Sequence, residues 1–336
     1  MEVSTADAVD VADEDLEIAD EFRKTLPVDP ATGERPLYVP IDTPGYRPSY
    51  YGHEGVDANL VLEGGSMRVQ FTCGVLDFLS DMGFFPKNVI GVSAGTLSGF
   101  NYLMGERGRT CALNIAYSDD KRYMSVWSWL HTGNAFNVGL SFKEIPFELM
   151  PYDIDEFFDS PCRLTAVASN LRTCEPEYFQ IDDPIDGMSK MQASACMPFV
   201  SQTVMIDGEP YLDGGVLDTI PVDYSIETGF EKQIVVLTQD RTFEQQPNPW
   251  NDLAYVWYAR YPEFARHVTN RYAHVNERRH HCMKLAEQGR IFLIMPPERI
   301  SLSVLDNDPR KLYEVYDMGY AQAKAQWRDL QRYMDS

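Results

Sequence analysis

The sequence is poor in basic residues. It holds 29 Lys and Arg against 51 Asp and Glu among 336 residues, which gives a formal net charge of -22 at pH 7. Sequence-independent binding of DNA or RNA relies on basic side chains that neutralise phosphates, so this balance excludes a broad nucleic-acid-binding surface. The same negative charge repels anionic bilayers.

Targeting, membrane-spanning and metal-binding patterns are also missing. No apolar run approaches the roughly 18 residues needed to span a bilayer, and the first residues show no basic stretch followed by an apolar core. The six cysteines are scattered and form no Cys-x-x-Cys pair, which favours reduced thiols over disulfides or a zinc site. We therefore expect a cytoplasmic protein with no metal ion and no cofactor. The glycine turns lack GxGxxG and GxxxxGK[ST], which argues against nucleotide binding.

Composition divides the chain into three parts. Residues 1–21 hold nine acidic residues and no basic one, and a Pro-rich stretch follows. We expect residues 1–55 to form a solvated acidic tail and an extended arm. Residues 56–240 carry the pattern of a catalytic α/β domain, and residues 241–336 predict a mainly helical C-terminal extension packed on it.

Short apolar runs alternate with helical spacing from residue 59 onward. NLVLE and NVIGV are typical of buried strands, and a segment with helical spacing follows each. This order predicts an α/β fold with a mostly parallel sheet and right-handed crossovers. Residues 107–160 predict helices and loops that cap a site. Further along, EPEYFQ is the expected partner of CRLTAVASN, and Asp207-Gly208 suits a two-residue hairpin turn.

The pentapeptide GVSAG, residues 91–95, places Ser93 between two glycines where a strand gives way to a helix. A sharp turn of this kind is strained and leaves little room for neighbouring side chains. The helix N-terminus would direct unpaired N–H groups towards a developing oxyanion. The pattern therefore favours a nucleophilic serine, and a tight turn with an idle hydroxyl is the alternative.

A nucleophilic serine needs a base, and the residues leave two arrangements open. In a triad, a histidine held by a carboxylate takes the proton. An α/β-hydrolase, however, builds several strands before its nucleophile turn, whereas only one earlier parallel strand precedes the strand that leads to Ser93. In a dyad, an aspartate such as Asp213, in YLDGGVLDTIP, takes the proton directly, which requires burial and immediate stabilisation of the oxyanion. Asp207 and Asp218 compete with Asp213. The histidines available to a triad are His131, His267, His274, His280 and His281.

A second glycine turn precedes the serine by one strand–helix unit. LEGGSMR, residues 62–68, also follows a predicted strand and opens a helix. Adjacent parallel strands bring such turns to the same sheet edge, where their N–H groups converge on one anion. Gly64, Gly65 and Ser66 are therefore candidate oxyanion donors, unless this is only a packed glycine turn.

Taken in order, EGGSMR, GVSAG and DGG resemble the motifs of the patatin-like phospholipases. QASACMPF, residues 192–199, is similar to the Ala/Ser-rich segment that precedes the aspartate in that family. The resemblance covers about residues 59–240, and the remainder is similar to the C-terminal extension of a bacterial patatin-like group. It implies a three-layer α/β/α domain that cleaves acyl esters of phospholipids or related lipids without calcium.

Carried over by motif, the resemblance makes Ser93 the nucleophile and Asp213 the base. It makes Gly64, Gly65 and Ser66 the oxyanion loop, and it assigns Arg68 to holding that loop or assisting anionic headgroups. Many members have glycine where Ser66 and Val69 stand, which changes the loop near the acyl carbonyl. The implied partner is a lipid substrate, reached by transient peripheral membrane contact.

Two rival interpretations stay open. One is an α/β-hydrolase-type esterase that uses a C-terminal histidine, and the other is a non-catalytic lipid- or partner-binding module on the same fold. Trp127, Trp129 and Phe136 are candidates for an acyl channel or a lipid-contacting surface, with core packing as the alternative. Headgroup, acyl length and oligomeric state do not follow from the sequence.

Overall fold

The computed structural model describes residues 38–39, 41, 43–118, 120–302, 306 and 308–336. The acidic residues 1–21 and part of the predicted arm lie outside these ranges. Within the described end of the arm, Tyr50 is buried and its hydroxyl donates to the backbone carbonyl of Glu156 at 2.7 Å. This end of the arm therefore packs against the rest of the protein.

One eight-stranded sheet organises the described residues, with the spatial order β5-β6-β3-β2-β1-β7-β8 and with β4 also paired to β3. The pairs β1–β2, β2–β3, β1–β7 and β7–β8 are parallel. The pairs that involve β4, β5 and β6 are antiparallel. The predicted mostly parallel sheet is confirmed. The strands are β1 Gly55–Leu62, β2 Phe85–Val92, β3 Arg163–Asn170, β4 Pro176–Ile181, β5 Val204–Ile206, β6 Glu209–Asp213, β7 Lys232–Val236 and β8 Phe292–Ile294.

Helices cover both faces of the sheet. They are α1 Val69–Asp81, α2 Ala94–Leu103, α3 Arg109–Ala116, α4 Val126–Thr132, α5 Asp155–Asp159, α6 Met188–Ala195, α7 Val222–Glu227, α8 Ala254–Trp257, α9 Pro262–Thr269, α10 Arg271–Glu287 and α11 Pro309–Asp335. A π-helical segment spans Leu140–Leu149, and 3₁₀ turns span Ser66–Arg68, Gly214–Val216 and Pro249–Leu253.

The alternation of side chains along β1 divides the core between the two faces. Leu60 and Leu62 belong to the apolar cluster that includes α1 and α11. Val61 points the other way, into the cluster formed with α7 and α10. The two faces give the three-layer α/β/α arrangement predicted from the sequence, with helices prominent in the C-terminal portion.

Two glycines bring α1 and α11 into close contact. A Cβ atom on Gly74 would lie 2.0 Å from the carbonyl oxygen of Tyr316, and one on Gly319 would lie 1.9 Å from that of Phe71. Backbone atoms block both positions, so only glycine allows this approach. The C-terminal helix therefore packs directly on the helix that follows the LEGGSMR turn.

Several local predictions agree with the structure. β4 contains the EPEYFQ segment and pairs antiparallel with β3. Asp207 and Gly208 both have positive φ, 51° and 81°, as the turn between β5 and β6 requires. The strand β8 of the predicted C-terminal extension joins the main sheet beside β7. The predicted boundary at residue 240 stays a prediction.

None of the helices in the described residues combines the length and apolar character that crossing a bilayer requires. The described residues also contain no group of three or more His, Cys, Asp and Glu side chains arranged to hold a metal ion.

Candidate active site

Ser93 occupies a strained turn between β2 and α2. Its backbone has φ 56° and ψ -127°, a conformation that L residues other than glycine rarely adopt. A Cβ on Gly91 would lie 2.4 Å from the Cα of Thr96, and one on Gly95 would lie 2.5 Å from the carbonyl oxygen of Leu62. The turn therefore requires both glycines of GVSAG, and it holds the serine side chain at the edge of the sheet.

The sheet register brings Ser93 and Asp213 level with each other. Val92 pairs with Val167 on one side of β3, and Asp213 pairs with the next residue, Ala168, on the other side. Adjacent strands lie about 4.8 Å apart, so two side chains that flank one strand can meet above it. The Ser93 side chain faces the Asp213 carboxylate, and hydrogen bonding by the serine hydroxyl lowers the pKa of that carboxyl.

Asp213 is almost fully buried, with 5% of its surface exposed. Burial raises the pKa of its carboxyl above the ordinary value, because a charge loses its hydration there. The Ser93 hydrogen bond, the Arg271 guanidinium and the Gly215 N–H oppose that rise in pKa. The Gly215 N–H donates to Asp213 Oδ1 at 2.8 Å. These contacts hold a buried carboxylate in one orientation against the serine hydroxyl.

The glycine loop after β1 lies directly against the serine. A Cβ on Gly64 would lie 2.8 Å from the Cβ of Ser93, and one on Gly65 would lie 2.7 Å from Thr238 Oγ1. Thr238 Oγ1 lies 3.2 Å from the Gly64 carbonyl oxygen and 3.0 Å from Glu63 Oε2, and its one hydroxyl hydrogen is available to either acceptor. Thr238, just beyond β7, thus fixes the loop beside Ser93.

Ser66 and Arg68 complete this loop. Ser66 has φ 49°, in the left-handed region that glycine favours, which agrees with its standing where many family members have glycine. Arg68 is half-buried, and burial lowers the pKa of its guanidinium. The nearby Arg271 and Arg279 lower it further, whereas the Glu63 carboxylate raises it. The loop therefore borders a cluster of positive charge.

A cavity of about 110 Å³ opens beside Ser93. Most of its wall is apolar, and Phe136 contributes to it as the sequence suggested. Trp127 lies elsewhere, 43% exposed and stacked on His131 at 4.1 Å between ring centroids. Trp129 lines a separate open groove. The cavity is lined by Ser66, Met67, Val69, Ser93, Ala94, Leu97, Phe100, Asn101, Thr110, Leu113, Asn114, Tyr123, Met124, Phe136, Ser141, Phe142, Ile145, Pro146, Tyr152, Met188, Met191, Ala195 and Met197.

The C-terminal histidines make their contacts away from the serine hydroxyl. His274 Nε2 lies 2.7 Å from the Leu217 carbonyl oxygen. His280 and His281 lie beside the carboxylates of Glu244 and Asp223, at 2.6 and 2.9 Å. The structure therefore brings Ser93 together with Asp213 rather than with a member of this histidine set.

The competing aspartates are also placed elsewhere. Asp207 sits in the hairpin turn between β5 and β6. Asp218 accepts a hydrogen bond from the Tyr178 hydroxyl at 2.8 Å, and Arg278 lies 3.8 Å from it. Of the three aspartates near the DGG turn, Asp213 is the one that contacts Ser93.

Residues 60–226 match the family model described as patatin-like phospholipase. The chain belongs to the patatin-like phospholipase family. Residues 261–335, which follow the patatin-like domain, match a model described as a domain of unknown function.

Two curated relatives are similar to the patatin-like chain. The uncharacterized protein YjjU of Escherichia coli K12 is 28% identical over 184 residues, which are 53% of this chain and 51% of YjjU. The probable lipid hydrolase 463L of invertebrate iridescent virus 6 is 24% identical over 233 residues, which are 61% of this chain and 76% of the relative. The match thus spans about half the length of YjjU.

Among solved structures, VipD from Legionella pneumophila is similar with a TM-score of 0.39 and 13% identity. That comparison covers 84% of this patatin-like chain and 67% of VipD.

Sequence reasoning missed three residues that contact the site of the patatin-like domain. Ser194 Oγ accepts the Ser93 backbone N–H at 3.0 Å and lies 2.8 Å from Thr96 Oγ1. Thr238 anchors the glycine loop, and Arg271 reaches the turn after Asp213 from α10. Ser194 lies inside the QASACMPF segment, so that motif could have identified it. Thr238 and Arg271 carry no local pattern that would single them out.

Proposed function

We propose that this protein is a serine acyl hydrolase that cleaves carboxylic ester bonds of lipids, with Ser93 as nucleophile and Asp213 as base. The observation that carries the proposal is the placement of Ser93 beside the buried Asp213 carboxylate, level with each other across β3, next to an apolar cavity and inside a patatin-like domain. The family name and the relative described as a probable lipid hydrolase support the substrate class.

The reaction proceeds in two halves through an acyl-enzyme. Ser93 Oγ attacks the ester carbonyl carbon while its proton passes to Asp213, and the carbonyl oxygen becomes an oxyanion. The tetrahedral species then expels the alcohol or lysolipid, which takes the proton from Asp213. In the second half, Asp213 accepts a proton from water as that water attacks the acyl group. The fatty acid leaves, and Ser93 recovers its proton.

Burial makes Asp213 a stronger base than an exposed aspartate. Its raised pKa reduces the energy gap between the carboxylate and the serine alkoxide it must help to form. The remaining gap is large, so the dyad depends on stabilisation of the oxyanion at the same moment.

The glycine loop is suited to hold that oxyanion. In a trans peptide the N–H points opposite to the preceding C=O. The Gly64 carbonyl is directed to Thr238, and the Gly65 carbonyl accepts the Arg68 N–H. The N–H groups of Gly65 and Ser66 are thereby directed away from those partners, next to the serine that Gly64 contacts. Removing one oxyanion donor typically lowers kcat by about 10²- to 10³-fold.

The apolar cavity fits an acyl chain better than a polar substrate. Phe100, Phe136, Phe142 and Met191 contribute to its wall, and such surfaces gain about 25 cal/mol for each Å² of apolar area they remove from water. We assign the acyl chain to this cavity and the alcohol portion to the opposite side of Ser93. Arg68, which does not line this cavity, is the candidate contact for an anionic headgroup.

An exposed apolar surface supports transient contact with a lipid layer. We define the apolar rim as Val126, Trp129, Leu130, Trp250, Leu253, Val256 and Trp257, which are between 36% and 78% exposed. Trp129 and Trp257 line one open groove of about 540 Å³, and Phe199, also in that groove, lies two residues beyond the cavity residue Met197. Tryptophan is enriched at membrane–water interfaces. Because the chain carries a net charge of -22, we assign the rim to an uncharged or zwitterionic lipid surface. Residence in the cytoplasm stays a prediction.

Covalent labelling tests the proposal directly. A fluorophosphonate should label the wild-type protein at Ser93 and should not label Ser93→Ala, which serves as the matched control. Hydrolysis of a panel of phospholipids, lysolipids and short-chain esters then identifies the leaving alcohol. A folded wild-type protein that neither labels nor cleaves any panel member would contradict the enzyme proposal. Lipid binding retained in that protein would favour the non-catalytic module instead.

A further inference from the structure

The turn that carries Asp213 is held by a residue from outside the patatin-like match. Arg271, at the start of α10, donates from Nε to the Gly215 carbonyl at 2.8 Å, and this bond joins residues 56 positions apart. Gly215 in turn donates its N–H to Asp213 Oδ1 at 2.8 Å. Gly215 thus connects the Arg271 side chain to the candidate base through its carbonyl oxygen and its N–H.

We propose that Arg271 is a positioning residue for the Ser93–Asp213 pair, and that the C-terminal segment matched to a domain of unknown function completes the active site through it. This inference rests on the proposed function and adds a positioning residue to the same site. Arg271 reaches the base through Gly215 and through its charge, without touching the reacting atoms.

One face of α10 follows the chain that leaves Asp213. Arg271, His274 and Arg278 are spaced as i, i+3 and i+7, so they share a face of the helix. His274 contacts the Leu217 carbonyl oxygen at 2.7 Å. Arg278 pairs with Asp223 and lies 3.8 Å from Asp218. Three consecutive contacts therefore fix the Asp213 turn against α10, and Arg271 is the contact nearest the base.

Position also gives Arg271 an electrostatic role. A Cβ on Gly215 would lie 3.3 Å from Arg271 Nη2 and 3.1 Å from Asp213 Oδ1, so the guanidinium approaches the carboxylate from the Gly215 side. Its positive charge lowers the pKa of Asp213 and opposes the rise caused by burial. Arg271 therefore favours the ionised form of Asp213, which is the form that accepts the serine proton.

The other groups that face Asp213 do not supply this charge. Ser93 and the Gly215 N–H are neutral donors. The Cys196 thiol also faces Asp213, and burial with the Asp213 charge raises the pKa of that thiol to about 12, so it stays protonated. Arg68 is not among the groups that shift the pKa of Asp213, and its guanidinium and that of Arg271 repel each other. Arg271 is thus the cation that acts on Asp213 from the described surroundings.

Four variants separate the charge, the hydrogen bond and the helix anchor. Arg271→Met removes both the charge and the donor, Arg271→Gln removes the charge but keeps an N–H donor, and Arg271→Lys keeps the charge. Arg278→Met is the matched control, because it removes another arginine contact between α10 and the same turn. The measurement is the second-order rate of fluorophosphonate labelling between pH 5 and 9, with thermal unfolding recorded for every variant.

Loss of the Arg271 charge raises the pKa of Asp213. As the pH is lowered, the labelling rate should therefore begin to fall at a higher pH than in the wild type. We expect the midpoint of the acid limb to rise by about one pH unit in Arg271→Met and Arg271→Gln, which is up to tenfold slower labelling below the midpoint. Arg271→Lys should keep the wild-type midpoint. Arg278→Met should lower thermal stability and leave the midpoint unchanged.

The outcomes distinguish this inference from the proposed function. A wild-type protein that does not label contradicts the proposed function itself. A wild-type protein that labels, with the midpoint unchanged in both Arg271→Met and Arg271→Gln, overturns the role of Arg271. An equal shift in Arg278→Met also overturns it, since the effect would then come from loosening α10. If Arg271→Met fails to fold, Arg271→Gln and Arg271→Lys carry the test.

Discussion

The two sides of the Ser93–Asp213 pair differ in chemistry. On the cavity side, α2, α3, α6 and the π-helical segment present mostly apolar side chains, including Phe100, Phe142 and Met191. The other side holds the charged residues Glu63, Arg68, Arg271 and Arg279, and Glu63 and Arg279 are buried with 3.7 Å between Oε1 and Nη1. An ester bond between a fatty acid and a polar alcohol has the same asymmetry. The site thus has an apolar cavity that would suit an acyl chain on one side and charged residues near Asp213 on the other.

Replacing the proposed base on the charged side should have the largest effect on activity. Asp213→Asn keeps an oxygen to accept the Gly215 N–H but no longer takes the serine proton. We expect hydrolysis to fall by up to about 10⁴-fold, the upper end of what general acid–base catalysis contributes. The rate of ester cleavage at pH 8 measures this, and a loss below tenfold would reject Asp213 as the base.

The same variant should change how stability depends on pH. The pKa of Asp213 is raised in the folded state, so the wild type is favoured below the unfolded-state pKa of about 4 and loses that advantage as pH rises through the folded-state value. Asn does not titrate, so Asp213→Asn should be at least as stable as the wild type at pH 8. Free energies of unfolding in urea at pH 4 and pH 8 give the comparison. A variant much less stable than the wild type at pH 8 would contradict the expectation that the buried Asp213 charge destabilises the folded protein.

Crowding the junction between the two sides should have the next largest effect. A Cβ on Gly64 would approach the Ser93 Cβ at 2.8 Å and the Val92 carbonyl oxygen at 2.9 Å, so Gly64→Ala displaces the oxyanion loop from the nucleophile. We expect kcat/KM to fall by roughly 10²-fold, comparable to the loss of one oxyanion donor. Gly139→Ala is the control, because its nearest atom is 3.4 Å away. Equal activity in both variants would rule out the loop as the oxyanion site.

Filling the cavity should change the preference for acyl-chain length while leaving the charged side intact. Leu97 lines the cavity from α2, so Leu97→Trp reduces the space available to an acyl chain. We expect roughly tenfold lower kcat/KM for long-chain esters relative to an acetate ester, the size of effect that small changes in an apolar pocket produce. Ile185→Trp, at a side chain that is 49% exposed and lines neither the cavity nor the groove, is the control and should leave the preference unchanged. Equal losses for short and long chains would place the acyl group elsewhere.

The sequence predicted those site residues whose motif lies within a few neighbouring positions. The Ser93 turn was recognisable because both glycines lie within two residues of the serine and each is required by a backbone contact. Asp213 was recognisable for a similar reason, at a strand end followed by Gly214 and Gly215. Arg271 was not, because its contact to Gly215 joins distant residues and α10 resembles an ordinary polar helix in sequence.

The cavity wall shows the same limit. The segment from 107 to 160 was predicted to contribute aromatic residues, yet of three candidates Phe136 lines the cavity while Trp127 and Trp129 do not. The difference arises from tertiary packing: Phe136 lies against Tyr123 and Phe142, whereas α4 turns its tryptophans outward. The close contact between α1 and α11 at Gly74 and Gly319 could not be predicted from the sequence either. Each glycine lies within a helix, and it is the backbone of the other helix that leaves no room for a Cβ.

The smallest expected effect concerns the apolar rim, where substrate would enter the cavity side. Trp257 is 58% exposed and Leu253 is 50% exposed, so replacing both with alanine removes apolar contact with a lipid layer at little cost to the core. We expect roughly threefold to tenfold weaker activity on phosphatidylcholine vesicles, because interfacial binding scales with the apolar area inserted. Activity on a water-soluble short-chain ester should stay unchanged. Met205→Ala, which removes a 59% exposed side chain from β5, is the control for a general loss of surface apolarity. A rim variant that loses vesicle and soluble-ester activity equally would show that these side chains support the fold of the site rather than its contact with lipid.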